Sequence, residues 1–157
     1  MSQTEALIRQ LSEYIDKLEL ESMLRSIGYR GIARELDIIE RVLEKLRDAY
    51  KANELSPEQI TQITNLKSSE KYNKAREALY EFLDKRHAEY CTKKGIARQG
   101  ARRAVTRRAD MFERTPHCYQ CKGELNSRIN MECDACGWLI CWCGACGCSY
   151  GSDTTNP

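Results

Sequence analysis

The chain has 157 residues, of which 41% are hydrophobic and 31% are charged, and its formal net charge is +2. This length suits one ordinary domain or a small domain with a minidomain, and a nearly neutral total points to no particular partner. No apolar run approaches the roughly 18 residues of a membrane span, and the N-terminus lacks the pattern of a secretory signal. We therefore expect a cytoplasmic protein that makes no membrane contact.

Apolar residues recur at helical spacing through the first part of the chain. Positions 4–27 predict one amphipathic helix, and positions 32–52 predict a second whose apolar residues follow a heptad-like alternation. Gly28 and Gly31 are expected to separate the two helices, which then pack as an antiparallel hairpin. The same apolar seam suits the core of one chain or the interface of a homodimer, and both remain open.

A helix start signal stands at Ser56. Pro57 follows it, and Gln59 lies three residues after it, which is the pattern of a capping box. Two apolar turns come next, and a further helix is expected over positions 70–93. Residues 1–92 are therefore predicted to form an α-helical bundle.

Positive charge is concentrated just before the cysteines. Residues 93–116 carry eight basic and two acidic side chains, a net charge of +6, and are predicted to form a basic connecting helix, although Gly95 and Gly100 weaken its first half. Arginine offers a planar fork that fits phosphate oxygens, so the segment predicts contact with DNA or RNA. An acidic protein surface, or an acidic face of the chain itself, is the alternative partner. The candidate nucleic-acid-binding residues are Arg98, Arg102, Arg103, Arg107 and Arg108.

Eight of the nine cysteines lie between positions 117 and 148. Their CxxC spacing, with glycine soon after, favours a metal ion over disulfides in a reducing compartment. Tetrahedral thiolate sites of this kind suit one or two Zn²⁺ ions, and an iron–sulfur centre is the less favoured alternative. The candidate ligands are Cys118, Cys121, Cys133, Cys136, Cys141, Cys143, Cys146 and Cys148. His117 is a weaker candidate.

The grouping of these ligands stays open at this point. The first grouping follows chain order, with one ion on Cys118, Cys121, Cys133 and Cys136 and another on Cys141, Cys143, Cys146 and Cys148. In the second grouping one ion is held by Cys118, Cys121, Cys143 and Cys146 and the other by Cys133, Cys136, Cys141 and Cys148. A single ion with some thiols free is the third possibility.

Four further residues have uncertain roles. His87 is expected to be solvated or partly packed, and Cys91 is expected to be a packed residue or a free thiol. Trp138 is expected to pack in the small core of the cysteine-rich region. Trp142 is left open between packing and stacking on a nucleotide base.

Two CxxC turns separated by eleven residues, with Asn126 and Ser127 at a plausible hairpin turn between them, resemble the zinc-ribbon family. The resemblance covers residues 117–148 and implies a small β-rich module that binds metal. It does not define a function, because zinc ribbons serve in nucleic-acid binding, in transcription machinery and in protein contacts. The cysteines from Cys141 to Cys148 depart from the simple ribbon pattern.

The sequence therefore predicts a mainly α protein with a small β-rich zinc ribbon at its C-terminal end. The predicted parts are a helical bundle (1–92), a basic connecting helix (93–116), a cysteine-rich minidomain (117–150) and a disordered tail (151–157). Closed four-thiolate sites are typically structural, so an enzyme is not expected. The leading hypothesis is a zinc-binding protein with a nucleic-acid-binding or regulatory role. The alternative is an adaptor whose helical hairpin and zinc module dock a protein partner.

Overall fold

The computed structural model describes residues 2–103 and 117–149. Within these ranges the protein is mainly helical with one small two-stranded sheet, which confirms the predicted fold class. The helices are α1 (Gln3–Asp16), α2 (Leu20–Ser26), α3 (Gly28–Lys51), α4 (Pro57–Lys67) and α5 (Glu70–Lys94). The strands are β1 (Ala101–Arg103) and β2 (Met131–Cys133), which run antiparallel. None of the helices in the described ranges has the length and hydropathy to cross a membrane.

The chain divides into two compact units, which we call unit 1 (Met1–Leu79) and unit 2 (Tyr80–Pro157). The division falls inside α5 and not at residue 92, where the helical bundle was predicted to end. The reason lies within unit 2, where the C-terminal half of α5 packs against the cysteine-rich segment. For example, the ring of Phe82 on α5 contacts that of Trp142. The last turns of the helix therefore belong to the core of the cysteine-rich unit.

The first predicted helix is interrupted and forms two helices, α1 and α2. Ser2 begins α1, because its hydroxyl accepts a hydrogen bond of 3.2 Å from the Glu5 amide. The break after α1 turns Leu18 into the core, where only 3% of it is exposed. Glu19 then leaves the helical region of backbone conformation, with φ −123° and ψ 88°. The chain therefore gives up a continuous helix over positions 4–27 and buries Leu18 instead.

The two predicted helix-breaking glycines behave differently. Gly28 begins α3 with a φ of +69°, a conformation that other residues rarely adopt. Gly31 lies inside α3, and a Cβ atom there would come within 2.5 Å of the Ile27 side chain. Gly31 therefore permits a close approach of Ile27 and does not break the helix.

The heptad-spaced side chains of α3 form the centre of unit 1. Helices α1 and α2 both pack on α3, and α1 also contacts α4. The buried apolar side chains of α3 include Ile32, Leu36, Ile39, Leu43 and Leu46. Burial within one chain accounts for this seam, and a homodimer through these helices stays a prediction.

Two polar arrangements in unit 1 fix the ends and contacts of its helices. The capping box at the start of α4 is confirmed, since Ser56 and Gln59 each accept a backbone N–H bond from the other.

Between α3 and α5, the buried Glu40 carboxylate accepts hydrogen bonds from Tyr72 and Arg76. Burial, followed by the charge of Glu40, raises the pKa of Tyr72, so the phenol stays protonated and donates.

The basic segment does not continue α5 as the predicted connecting helix. Helix α5 ends at Lys94, and Gly95 takes the left-handed conformation with φ +70°. Gly100 follows with φ +116°, and residues 101–103 form β1, in which Ala101 pairs with Cys133. The glycines that weaken a helix at these positions thus allow the chain to turn and pair with β2. The rest of the predicted helix, residues 104–116, lies outside the described residues.

Candidate metal centres

The structure brings all eight candidate cysteines together in two groups of four. Within each group the ligand atoms all lie within 4.8 Å of one another. Site I consists of Cys118, Cys121, Cys141 and Cys143. Site II consists of Cys133, Cys136, Cys146 and Cys148. The chain therefore contributes a pair to site I, then to site II, then to site I and again to site II. Both of the two-ion groupings proposed from the sequence are wrong, and the zinc-ribbon resemblance stays unconfirmed.

Tight turns position the paired thiols of site I. In the first turn, the Lys122 amide donates to the Cys118 carbonyl at 3.0 Å, and the amides of Gln120 and Cys121 point at the Cys118 sulfur at 3.4 and 3.5 Å. In the second, the Cys141 carbonyl accepts from the Gly144 amide at 2.8 Å. Each turn therefore brings two sulfurs of the site together and directs backbone N–H groups towards them.

Site II is built from β2, the turn that follows it and the segment that carries Cys146 and Cys148. The Cys133 carbonyl accepts a hydrogen bond of 2.8 Å from the Gly137 amide, and Gly137 has a φ of +74°. The Gly147 amide donates to the Cys136 sulfur at 3.1 Å and so joins the two pairs of this site. Strand β1 pairs with β2, and its Ala101 lies opposite Cys133. It therefore supports this ligand directly.

The spacing of the sulfurs fits tetrahedral metal coordination. The Sγ–Sγ distances are 3.8 Å for Cys118–Cys143 and 3.3 Å for Cys121–Cys141 in site I. In site II the Cys133–Cys148 distance is 3.7 Å. Four thiolates at about 2.3 Å from one ion lie roughly 3.8 Å apart, whereas a disulfide bond measures about 2.05 Å. All nine cysteines are free. Each site can therefore hold one metal ion.

Burial opposes the ionisation of several of the clustered thiols. Burial raises the pKa of the Cys141 and Cys146 thiols, and burial is the first cause that raises the pKa of Cys148 to about 12. At Cys121, burial opposes ionisation, but donors led by the Gly123 amide bring the pKa below its ordinary value. A divalent cation stabilises the thiolate form of all four ligands and releases their protons. Occupancy is therefore expected to fall in acid.

The two histidines lie outside both groups. His117 is exposed, and its backbone forms a bridge with Glu124. His87 on α5 is fully buried, which differs from the expected solvated or partly packed side chain. Its Nδ1 accepts from Arg98 Nε at 3.1 Å, so the proton of the neutral ring is on Nε2, which lies 3.5 Å from the Cys91 sulfur and donates to it. Burial, and then Arg98, lowers the pKa of His87.

The structure describes the side chains of two of the five candidate arginines, and both contact groups of unit 2 itself. Arg98 pairs with Asp84 in addition to His87. Arg102, on β1, donates to Glu132 at 2.7 Å and to Asp134 at 3.2 Å. Arg103 is placed in β1 by its backbone, while positions 107 and 108 lie outside the described residues. The acidic partner that the sequence suggested for the basic segment is, for these two side chains, the chain itself.

The two tryptophans occupy opposite environments. Trp142 is buried, and its ring centroid lies 6.2 Å from that of Phe82 on α5. Trp138 remains 43% exposed, so the expectation that it packs in the core is wrong. The local sequence explains the difference, since Trp142 lies between two ligands of site I, whereas Trp138 follows the Cys136-Gly137 turn at the surface.

One structural tie was not anticipated from the sequence. The Tyr119 hydroxyl, inside the first cysteine turn, lies 2.6 Å from the Tyr90 hydroxyl on α5. No local signal in the sequence joins Tyr90 to a residue 29 positions away. This bond fixes the first turn of site I on the helix.

Comparison with known proteins provides no further assignment. None of the protein-family models, curated proteins or solved structures compared with the chain matches it.

Proposed function

We propose that sites I and II each bind one Zn²⁺ ion and that both ions are structural. The observation that carries this proposal is the gathering of eight thiols into two groups with tetrahedral spacing. Thiolate sulfur is a preferred zinc ligand, and four protein ligands leave no open position for a catalytic water molecule. Sulfurs within 4.8 Å of one another suit a single ion better than a cluster, whose metal and sulfide ions need more room.

In this proposal the chain is a non-enzymatic zinc-binding adaptor, and the zinc-folded unit presents a docking surface to a protein partner. The internal ion pairs of Arg98 and Arg102 favour an adaptor over a nucleic-acid-binding protein. An arginine that is already paired with a carboxylate must give up that pair before it binds a phosphate, which weakens phosphate binding. A reducing compartment such as the cytoplasm keeps the thiols available for metal.

Nucleic-acid binding is the second candidate, and the net charge of +6 over residues 93–116 favours it. It then depends mainly on Arg103, Arg107 and Arg108, since the side chains of Arg98 and Arg102 are paired within unit 2. Such binding is electrostatic and weakens steeply with salt.

Metal content and nucleic-acid affinity together test the proposal. Elemental analysis of the purified chain is expected to give two zinc ions per chain, and cobalt exchange is expected to give thiolate charge-transfer bands. Binding to duplex and single-stranded DNA and RNA is then measured across a salt series. A triple variant, R103A/R107A/R108A, is compared with the charge-matched control R25A/R30A/R47A, whose three positions are exposed on unit 1.

The adaptor proposal predicts affinities no better than about millimolar at physiological salt, with the same value for both triple variants. Micromolar binding that the first triple variant loses and the control keeps supports the nucleic-acid candidate and contradicts the adaptor. Fewer than one zinc ion per chain contradicts the metal proposal independently of any binding result.

A further inference from the structure

The two metal sites differ in how far solvent reaches their ligands. All eight ligand cysteines are among the described residues, and Cys121 of site I is the one that is exposed. In the same site Cys118 and Cys141 are buried and Cys143 is half-buried, while site II has two buried and two half-buried ligands. Cys91, the thiol outside both sites, is only 2% exposed. A small reagent in solvent therefore reaches Cys121 more readily than any other cysteine of the chain.

The sulfur of Cys121 lies close to that of Cys141, a second ligand of site I. The Sγ–Sγ distance between them is 3.3 Å, whereas the distance between Cys118 and Cys143 in the same site is 3.8 Å. A disulfide bond brings two sulfurs to about 2.05 Å, so a small displacement is enough to join Cys121 to Cys141. Cys141 is 0% exposed, so its sulfur meets the neighbouring ligand and not a reagent from solvent.

Gly123 lies beside both of these sulfurs. Its amide donates to the Cys121 sulfur at 3.4 Å. A Cβ atom at this position would lie 3.2 Å from Cys121 Sγ and 3.7 Å from Cys141 Sγ. Glycine therefore leaves room beside the two sulfurs, which the side chain of any other residue would fill.

We propose that Cys121 is the site at which a hydroperoxide oxidises the protein, and that the resulting Cys121–Cys141 disulfide releases the ion of site I. This inference rests on the proposed function, because a bound Zn²⁺ holds all four sulfurs as thiolates. Accessible thiolates are the ones that peroxide oxidises most readily. Hydrogen peroxide is small and neutral, so the charges around the site do not decide its approach.

The oxidation takes place in two steps. The Cys121 thiolate attacks one peroxide oxygen, so that an S–O bond forms, the O–O bond breaks and hydroxide leaves. The Cys141 thiolate then attacks the sulfenic sulfur, so that the S–S bond forms, the S–O bond breaks and a second hydroxide leaves. Two protons from solvent convert both hydroxides to water, and the two electrons that the sulfurs lose are accepted by the peroxide. The ion of site I is left with two of its four thiolates, whereas site II keeps all of its ligands.

The test uses the full chain with measured zinc content, treated with about one equivalent of hydrogen peroxide in the absence of reductant. A weak colorimetric chelator, which leaves the untreated chain loaded, follows the released zinc. The remaining thiols are then alkylated under denaturing conditions, and mass spectrometry of proteolytic peptides locates the disulfide. Cys121→His removes the exposed thiol and supplies another zinc ligand. Cys136→His is the matched control, because it makes the same exchange at a half-buried ligand of site II.

The wild type is expected to release about one zinc ion per chain and to form mainly the Cys121–Cys141 disulfide. Cys121→His is expected to slow this release at least about fivefold, and Cys136→His to leave it within about twofold of the wild type. If Cys121→His does not retain two zinc ions, the position of the disulfide in the wild type decides alone.

Three results overturn this inference and leave the proposed function standing. They are a first disulfide that includes Cys91 or joins ligands of site II, loss of both ions together, and equal release rates for the two zinc-loaded histidine variants. A disulfide between Cys118 and Cys121 overturns the choice of Cys141 as the second sulfur. Absence of zinc from the untreated wild type overturns the proposed function instead.

Discussion

Units 1 and 2 reach a folded state by different chemistry. Unit 1 buries heptad-spaced apolar residues between helices and adds one buried polar network around Glu40. Unit 2 gathers eight thiols from four segments, so much of its interior is built from ligands and not from hydrocarbon. Apolar packing stabilises a unit whatever ions are present. A ligand cluster does so only when its cation is bound, so the two units are expected to respond differently to the same perturbation.

Metal removal is expected to have the largest effect and to separate the two units. Metal binding to structural zinc sites supplies on the order of 10–16 kcal/mol of apparent free energy in small zinc-binding peptides. Chelation under reducing conditions should therefore unfold residues 117–149 and leave the helices of Met1–Leu79 folded. Resonance dispersion in NMR spectra measures both units at once. If both units lose their resonance dispersion together, or if neither does, the expected difference in metal dependence between units 1 and 2 is wrong.

Substitution of Arg76 by Met is expected to destabilise unit 1 by about 3–5 kcal/mol, because the buried Glu40 carboxylate loses its cationic partner. Far-UV circular dichroism during denaturant unfolding measures the loss. Both tryptophans lie at positions 138 and 142, so their fluorescence reports unit 2 and should change little. Lys74→Met is the control, since its pair with Glu70 is exposed to solvent and should contribute little to stability. Equal effects of the two variants contradict the importance of burial here.

Gly144→Ala is expected to destabilise unit 2 by about 2–5 kcal/mol, through both an unfavourable φ and a steric clash. Gly144 has a φ of +96°, and a Cβ atom there would lie 2.4 Å from the Arg86 carbonyl oxygen on α5. Gly137→Ala has a similar backbone constraint, with φ +74°, but nothing within 4 Å of the added atom, so about 1–2 kcal/mol is expected. Tryptophan fluorescence on denaturation measures both. Equal losses would show that the contact with α5 contributes nothing.

Local patterns in the sequence predicted what local physics determines. The capping box of Ser56 and Gln59 and the buried heptad of α3 were both predicted, because each depends on residues a few positions apart. The connecting helix was wrong over positions 95–103, because Gly95 and Gly100 end the helix and distant β2 supplies a partner for β1. Sequence spacing alone could not reveal that partner.

The cysteines of the candidate site also show that sequence spacing does not reveal contacts between distant segments. Their identity as a ligand set follows from CxxC spacing, but their grouping depends on how four turns meet in space. The environments of Trp138 and Trp142 also depend on that meeting, since Phe82 on α5 covers only Trp142. The residue that the sequence placed in the core, Trp138, therefore lies partly exposed at the surface.

The most direct test of the account is to identify which cysteines share an ion. The chain is loaded with ¹¹³Cd, a spin-active substitute for zinc, and scalar couplings are measured between each metal and the cysteine Hβ protons. Two cadmium resonances are predicted, one coupled to Cys118, Cys121, Cys141 and Cys143 and the other to Cys133, Cys136, Cys146 and Cys148. A resonance coupled to Cys118 and Cys133 together would contradict the account.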